Sequence, residues 1–524
     1  MSDVQILWVD DEIDLLRAHV IFLEEKGYQV ATANNGDDAL TMIKEGQIDL
    51  VFLDENMPGL SGIETLEFIK NTNPDLPVVM VTKSEEENLM EDAIGAKISD
   101  YLIKPVNPKQ ILLSIKKHID QTRLVSEKIT SDYQQDFRNI GMTLSEKLDH
   151  SEWAEIQRKL IFWELELGTA KDEGMDEVLK MQKTEANNLF CRKVEASYVN
   201  WISGSDGDKP LMSHNVFKER VFPILEDQDT VLFFVLIDNL RFDQWKTLSP
   251  VISEHFRIDE EEIYYSILPT ATQFSRNAIF AGMMPSEIED EFPELWVNDI
   301  DEGGKNMHEE EFISQQLSRN GKDIKFSYTK IANLSKGKKM VESIPNMMNN
   351  QLNVIVYNFV DMLSHARTEM EVIKELAGDE AAYRSLTLSW FEHSPLLAGL
   401  KRIAELGNSS GKKVKMIITT DHGTIRVKDP SKLVGDRNTT TNLRYKQGKN
   451  LTYESRDVLD IGNPNDVLLP KSNLSSRYVF AKENKYFVYP NNYNYYMNFF
   501  KNTFQHGGIS MEEMLIPLVT LTPR

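Results

Sequence analysis

VLFFVLID, residues 231–238, decides how the larger part of this chain is read. An unbroken apolar run ending on an acid is how a parallel strand reads when both its faces are buried and its carboxyl end carries chemistry. Two more runs share the layout, VIVYNFV ahead of Asp361 and VKMIITT ahead of Asp421. Three strands are thus expected to bring Asp238, Asp361 and Asp421 to one edge of one sheet. His365 and His422 follow closely, Thr272 lies in LPTATQFSR, and His506 arrives in the glycine-rich turn FQHGG. Carboxylate and imidazole donors around a small cavity suit zinc, with manganese as second choice.

Upstream, the pattern changes scale. ILWVDDE, VATA, DLVFLDENMPG, LPVVMVTKS and YLIKPVN are short apolar runs separated by helical stretches such as IDLLRAHVIFLEEKG. That alternation predicts a five-stranded parallel βα unit over residues 1–120. Asp10 and Asp11 close the first strand, Asp54 the third, Thr82 the fourth, and Lys104 follows the fifth. The set resembles a response-regulator receiver domain, which implies a flavodoxin-like fold and a phosphorylated aspartate. By that resemblance Asp54 accepts the phosphoryl group from a sensor histidine kinase. Asp10, Asp11, Asp54 and the carbonyl of Asn56 hold Mg2+, while Thr82, Tyr101 and Lys104 form the switch. Phosphorylation is then expected to favour a homodimer. The Lys104–Pro105 bond is commonly cis in that family.

Residues 121–205 hold little Pro or Gly and keep apolar residues at spacings of three and four, which predicts a helical bundle. Trp153, Trp163 and Trp201 are bulky anchors for it. The bundle either couples receiver to effector or stands as a partner-binding module. SGSDGDK at 203–209 marks the passage into residues 206–524.

Composition bounds the rest. A chain of 524 residues forms several domains, and its single cysteine, Cys191, excludes a disulfide framework or a cysteine-rich zinc module. The acidic start lacks a signal-peptide layout and VLFFVLI is too short to span a bilayer, so a cytoplasmic protein without membrane insertion is expected. The formal net charge of −24 disfavours tight binding to duplex DNA.

In chain order, Asp238, Thr272, Asp361, His365, Asp421, His422 and His506 match the ligand set of the alkaline phosphatase superfamily, and the region resembles its PglZ branch. The succession of receiver, helices and PglZ domain is similar to PorX-type response regulators associated with type IX protein secretion. The resemblance implies an alkaline-phosphatase-like α/β sandwich and two Zn2+. Asp238, Thr272, Asp421 and His422 surround one, and Asp361, His365 and His506 the other. It also implies a metal-dependent phosphodiesterase or phosphatase with Thr272 as nucleophile, the family pattern favouring it over Thr270. Asn277 is a candidate transition-state donor. Arg276 is read either as a phosphate ligand or as a solvated helix residue. Cys191 lies far from any sulfatase maturation motif. The competing class is a docking module for a sigma factor or secretion component.

Two stretches bear on substrate. Residues 285–315 are strongly acidic and read as a solvated cap. Residues 426–500 carry Lys432, Arg437, Arg444, Lys446, Lys449 and Arg456, then the aromatic segment YFVYPNNYNYYMNFF. Basic groups among aromatics suit a nucleotide or short oligonucleotide, with Arg437 and Arg444 as binding candidates. The alternative for the aromatic segment is an edge strand with a tyrosine-rich core face.

Overall fold

The computed structural model describes residues 4–83, 98–170, 173–204, 207–298, 304–369, 375, 378–436, 439–473 and 475–524, without the side chains of 120–127, 170, 173 and 365–369. The chain divides into two compact units, Met1–Gln134 with Ala170–Asp172, and Gln135–Thr169 with Glu173–Arg524.

In the first unit β1 (Gln5–Val9), β2 (Gln29–Ala33), β3 (Leu50–Asp54), β4 (Val78–Thr82) and β5 (Asp100–Ile103) form a parallel sheet in the order β2-β1-β3-β4-β5. Alternation sends Leu7 and Val9 into one apolar cluster and Ile6 and Trp8 into another. Both faces are therefore covered, by α1 (Arg17–Glu25), α2 (Gly36–Glu45), α3 (Gly62–Thr72) and α4 (Pro108–Ile115) among the described helices. The expected first helix is split, its opening turn Ile13–Leu16 being a tighter 3-10 turn. Gly62 is required behind the third strand, since a Cβ there would lie 2.4 Å from the Asp54 carbonyl oxygen.

Three long helices follow: α5 (Gln121–Leu144), α6 (His150–Ala170) and α7 (Glu173–Ser203). Among the described residues no helix is long and apolar enough to cross a membrane.

The second unit is built on β6 (Thr230–Ile237), β7 (Phe256–Tyr265), β8 (Phe326–Ile331), β9 (Leu352–Tyr357), β10 (Lys413–Thr419) and β11 (Leu515–Pro523), ordered β7-β11-β10-β6-β9-β8. Strands β10, β6, β9 and β8 run parallel, and β11 pairs antiparallel to β10 and β7. Every residue of β6 is buried. Phe233, Val235 and Ile237 join a core with Trp245, Met340, Ile344, Tyr383 and Leu400, while Phe234 turns to Phe217 and Phe280 on the opposite face. Helices thus cover both faces of a mostly parallel sheet. Because β10, β6 and β9 are neighbours, their carboxyl ends open on one edge.

Candidate functional site

In the first unit that edge carries Asp10, Asp54 and Thr82. The carboxylates of Asp10, Asp11 and Asp54 offer oxygens within 4.8 Å of one another, a spacing that one cation could bridge. Lys104 sits across them, its Nζ 2.8 Å from Asp10 Oδ2 and 2.8 Å from Asp54 Oδ1. Burial pushes the Asp54 carboxyl above its usual range, and hydrogen bonding and attraction from Lys104 offset only part of that. Burial also works against the charge of Lys104, but Asp10 and Asp54 prevail and raise its pKa. Thr82 Oγ1 donates to Glu55 Oε2 at 2.6 Å. Asn56 lies exposed in the turn after β3. Tyr101 is half-buried in β5, opposite Met80. The Lys104–Pro105 peptide is cis.

In the second unit Asp238 follows β6 and the Asp421-His422 pair follows β10. Thr272 opens the helix α8 (Thr272–Ala281). Its Oγ1 lies 3.0 Å from His422 Nε2 and 3.4 Å from Asp238 Oδ1, at the positive end of the helix dipole. Thr270 has a different task. Its hydroxyl donates to the Gly508 carbonyl at 2.9 Å and accepts from the Gly507 N–H at 3.0 Å, which ties this loop to the His506 turn.

Asp361 departs from the expected strand end. The β6–β9 ladder stops at Tyr357, paired with Ile237, and Asp361 lies in the first turn of α9 (Phe359–Glu369). The apolar run continues because Phe359 stacks on Trp390, ring centroids 3.9 Å apart, and Val360 enters the core. Asp361 still reaches the site, with Oδ1 3.6 Å from His506 Nε2. His365 is one turn further along α9, and its side chain lies outside the described residues.

The donors fit divalent metal. Asp238, Asp421 and His422 offer atoms within 4.8 Å of one another. The His422 and His506 rings stack with centroids 4.2 Å apart, so the Asp361–His506 pair adjoins the first group. Burial, helped by His506, holds His422 well below the usual histidine range and keeps its imidazole neutral, as ligation requires. Burial also pushes the Asp238 carboxyl up, with the Asp421 charge adding to it and Arg276 opposing both.

Arg276 is fully buried, which removes the solvated reading. It pairs with Asp238, with Asp421 Oδ2 at 2.9 Å and with Glu309 Oε1 at 3.4 Å. Burial alone would depress its guanidinium pKa, and these carboxylates more than reverse that. Glu309 corrects the picture of a solvated acidic insert. It opens the helix Glu309–Arg319, is 2% exposed, and also pairs with Lys330 at 2.7 Å and with the Tyr328 hydroxyl. Asn239 was not singled out in the sequence. It takes a left-handed backbone (φ 64), which Asn tolerates, and ties the acidic ends together. Its N–H points to Asp421 Oδ1 at 3.4 Å and its amide donates to Asp361 Oδ1 at 3.3 Å. Asn277 is buried, donating to the Lys305 carbonyl and accepting from Asn306, which in turn donates to the Thr272 carbonyl.

The basic stretch needs a larger correction. Arg444 is fully buried, with Glu513 at 2.6 and 3.1 Å and the carbonyls of Lys485 and Ile509 taking its protons, so it has no face for a nucleotide. Lys446 is buried too, donating to the Thr440 carbonyl and lying over the Tyr489 ring at 4.8 Å. Arg437 lies outside the described residues. The aromatic segment divides into a buried strand, Lys485–Val488, and a short helix, Tyr493–Phe500, that leaves Tyr495, Tyr496 and Phe499 exposed.

Three family models match this chain: the BREX system PglZ alkaline phosphatase-like domain over residues 216–521, the PorX response regulator linker domain over 123–202, and the response regulator receiver domain over 6–116. Transcriptional regulatory protein ZraR of Klebsiella oxytoca is 36% identical over 140 residues, 27% of this chain and 32% of that protein. Transcriptional regulatory protein ResD of Bacillus subtilis is 35% identical over 115 residues, 22% of this chain and 48% of that protein. The chain therefore spans less than half the length of these relatives. A CheY-like receiver domain structure from Methanospirillum hungatei is 31% identical, covers 23% of this chain and 96% of its own, and has a TM-score of 0.22.

Proposed function

This chain belongs to the PglZ family of alkaline phosphatase-like domains, and we propose from that premise that it is a response regulator whose effector hydrolyses phosphate diesters with two zinc ions. The observation that carries the reading is the setting of Thr272. Its hydroxyl stands at a helix start between His422 and Asp238, with Arg276 bracing the carboxylates behind.

In this reading Asp238, Asp421 and His422 would hold one zinc, and Asp361, His506 and His365 the other. Bound metal lowers the pKa of a coordinated hydroxyl and neutralises charge on the phosphate ester. Thr272 would lose its hydroxyl proton to solvent as its Oγ attacks phosphorus, and the leaving alkoxide would take a proton from water. A second water would then hydrolyse the phosphate diester left on Thr272, releasing the phosphate monoester and returning a proton to the threonine oxygen. Asn239 and Arg276 hold the carboxylates in place through both steps. Asn277 and Asn306 fix the first turn of α8 behind the nucleophile.

Control is assigned to Asp54, phosphorylated by a sensor histidine kinase with Mg2+ at Asp10, Asp11 and Asn56. Thr82, Tyr101 and Lys104 respond, and a homodimer follows. A role in type IX secretion belongs to this proposal through the resemblance to PorX-type regulators, whose linker domain model matches residues 123–202. For substrate, a nucleotide or short oligonucleotide remains the preferred class. The exposed Tyr495, Tyr496 and Phe499 offer stacking faces in the segment leading to His506, and the net charge of −24 opposes long polyanions.

The test is turnover of a nitrophenyl phosphodiester by the zinc-loaded chain. Thr272→Ala should lower turnover about a thousandfold while both metals stay bound. Equal turnover in both proteins removes Thr272 as nucleophile. No turnover in wild type moves the reading to a zinc-stabilised docking module for a sigma factor or secretion component.

A further inference from the structure

The two loops that bring Thr272 and His506 to the centre do not satisfy their own backbone. Part of what holds them comes from α7, in the helical segment ahead of the effector. Asn187, Cys191, Val194, Tyr198 and Trp201 succeed one another at spacings of four and three, which aligns them as one helix face, and every one is buried. That face meets each loop in turn.

At the nucleophile loop, Tyr198 Oη accepts the Leu268 N–H at 2.7 Å, four residues before Thr272. Trp201 packs edge-on against Tyr265, ring centroids 5.5 Å apart, where β7 feeds that loop. At the histidine loop, Asn187 Oδ1 accepts the Met511 N–H at 2.7 Å and its amide donates to Glu512 Oε2 at 2.8 Å. Cys191 Sγ donates to the Ile509 carbonyl at 3.3 Å. The loops are also laced to each other. Thr270 bonds Gly507 and Gly508, His506 Nδ1 meets the Thr270 carbonyl at 3.1 Å, and the Ser266 N–H reaches the Met514 carbonyl at 2.8 Å. No gap is left for a side chain where Glu512 crosses the Asp421-His422 turn, since a Cβ on Gly423 would lie 2.0 Å from the Glu512 carbonyl oxygen.

We propose that α7 is a built-in part of the hydrolytic centre, in which Tyr198 is a positioning residue for the Thr272 loop and Asn187 is one for the His506 loop. The physical reason is the cost of a buried backbone N–H with no acceptor. Such a group drives the loop to shift until it finds one, and catalysis tolerates displacements of only a fraction of an ångström. A second tie anchors the same helix. Lys183 pairs with Glu164 at 2.6 Å, Glu164 with Arg384 at 2.7 Å, and Arg384 with Asp243 at 3.2 Å, reaching Arg241, three residues beyond Asp238. The helical segment is on this account a structural share of the enzyme, and the effector begins before residue 206. The kinetic half of this assignment rests on the hydrolase reading above, while the metal half stands without it.

The experiment uses the full chain with Tyr198→Phe, Asn187→Ala and, as a control on the same helix, Asn188→Ala, whose amide bonds Glu483 rather than either loop. Tyr198→Phe keeps the ring and removes only the acceptor. It should lower kcat on a nitrophenyl phosphodiester about tenfold, with KM, zinc stoichiometry and Tm close to wild type. Asn187→Ala should weaken one of two zinc ions about tenfold in competition with a chromophoric chelator, leaving the other unchanged. Asn188→Ala should match wild type in both. The proposal is overturned if Tyr198→Phe and Asn187→Ala change only Tm, or change nothing. If wild type shows no turnover, the hydrolase reading fails and the chelator competition decides alone: unchanged zinc affinity in Asn187→Ala overturns the positioning role.

Discussion

The receiver centre and the effector centre are built to one plan with one difference. Each gathers carboxylates at the ends of neighbouring parallel strands and sets a cation across two of them. In the receiver the cation is Lys104, 2.8 Å from both Asp10 and Asp54, with 11% of its side chain exposed. In the effector it is Arg276, wholly buried between Asp238 and Asp421, with Glu309 closing it from behind. A lysine ammonium is a point charge on a flexible stem and can follow an arriving phosphoryl oxygen. A guanidinium is a rigid fork that holds two carboxylates in fixed orientation. The receiver's cation suits a site that changes state, the effector's one that must not.

The largest expected effect tests the switching half. A small phosphodonor with Mg2+ should label wild type, and Asp54→Ala should take up no label at all. Lys104→Met should still be labelled, more slowly, because the lysine stabilises transferred charge without accepting it. Label that persists in Asp54→Ala would break the comparison at its root. Beryllofluoride should shift wild type toward a dimer in sedimentation and leave Asp54→Ala unshifted.

Next comes the permanent half. Arg276→Met leaves two buried carboxylates facing each other, which should cost the metal-free chain about 3–5 kcal/mol of stability. Zinc should then raise the Tm of Arg276→Met by more than it raises that of wild type, because the metal supplies the positive charge the arginine had provided. Lys104→Met should cost less, since the lysine it removes keeps 11% of its side chain exposed whereas Arg276 is wholly buried. Equal losses would mean that the two cations serve alike.

This contrast was only partly legible in the sequence. Asp10, Asp54, Asp238 and Asp421 stand out because each ends an apolar run, and a buried strand has no other reason to stop on an acid. Asp361 was misplaced by the same logic, since Phe359 and Val360 prolong the run although the strand has already ended at Tyr357. Arg276, Glu309 and Arg444 were hidden for a different reason. A charged residue on a helix or in a loop reads as solvated, and only its distant partner makes it internal: Asp421 for Arg276, Arg276 for Glu309, Glu513 for Arg444. Charge balance over 426–500 was therefore a poor guide to that surface, because Arg444, Lys446 and Lys482 are buried.

The smallest effect separates the centres by the sign of their response to acid. Burial raises the Asp54 carboxyl, so its ionised form costs stability at neutral pH, and the cost is relieved as pH falls through its raised value. Glu164 behaves oppositely. Burial alone would raise it, but Lys183 and Arg384 hold it well below the usual carboxylate range. Its contribution is complete above the ordinary glutamate pKa of about 4.3 and declines as pH falls from there toward the depressed folded value. Asp54→Asn should therefore raise Tm slightly at pH 7.5, with the gain shrinking as pH drops. Glu164→Gln should lower Tm at pH 7.5 by an amount that holds down to about pH 4 and narrows below it. Calorimetry of both variants between pH 7.5 and 3.5 measures the two trends. Trends of the same sign would place Asp54 and Glu164 in equivalent surroundings and end the distinction between a site poised to change and a framework built to stay.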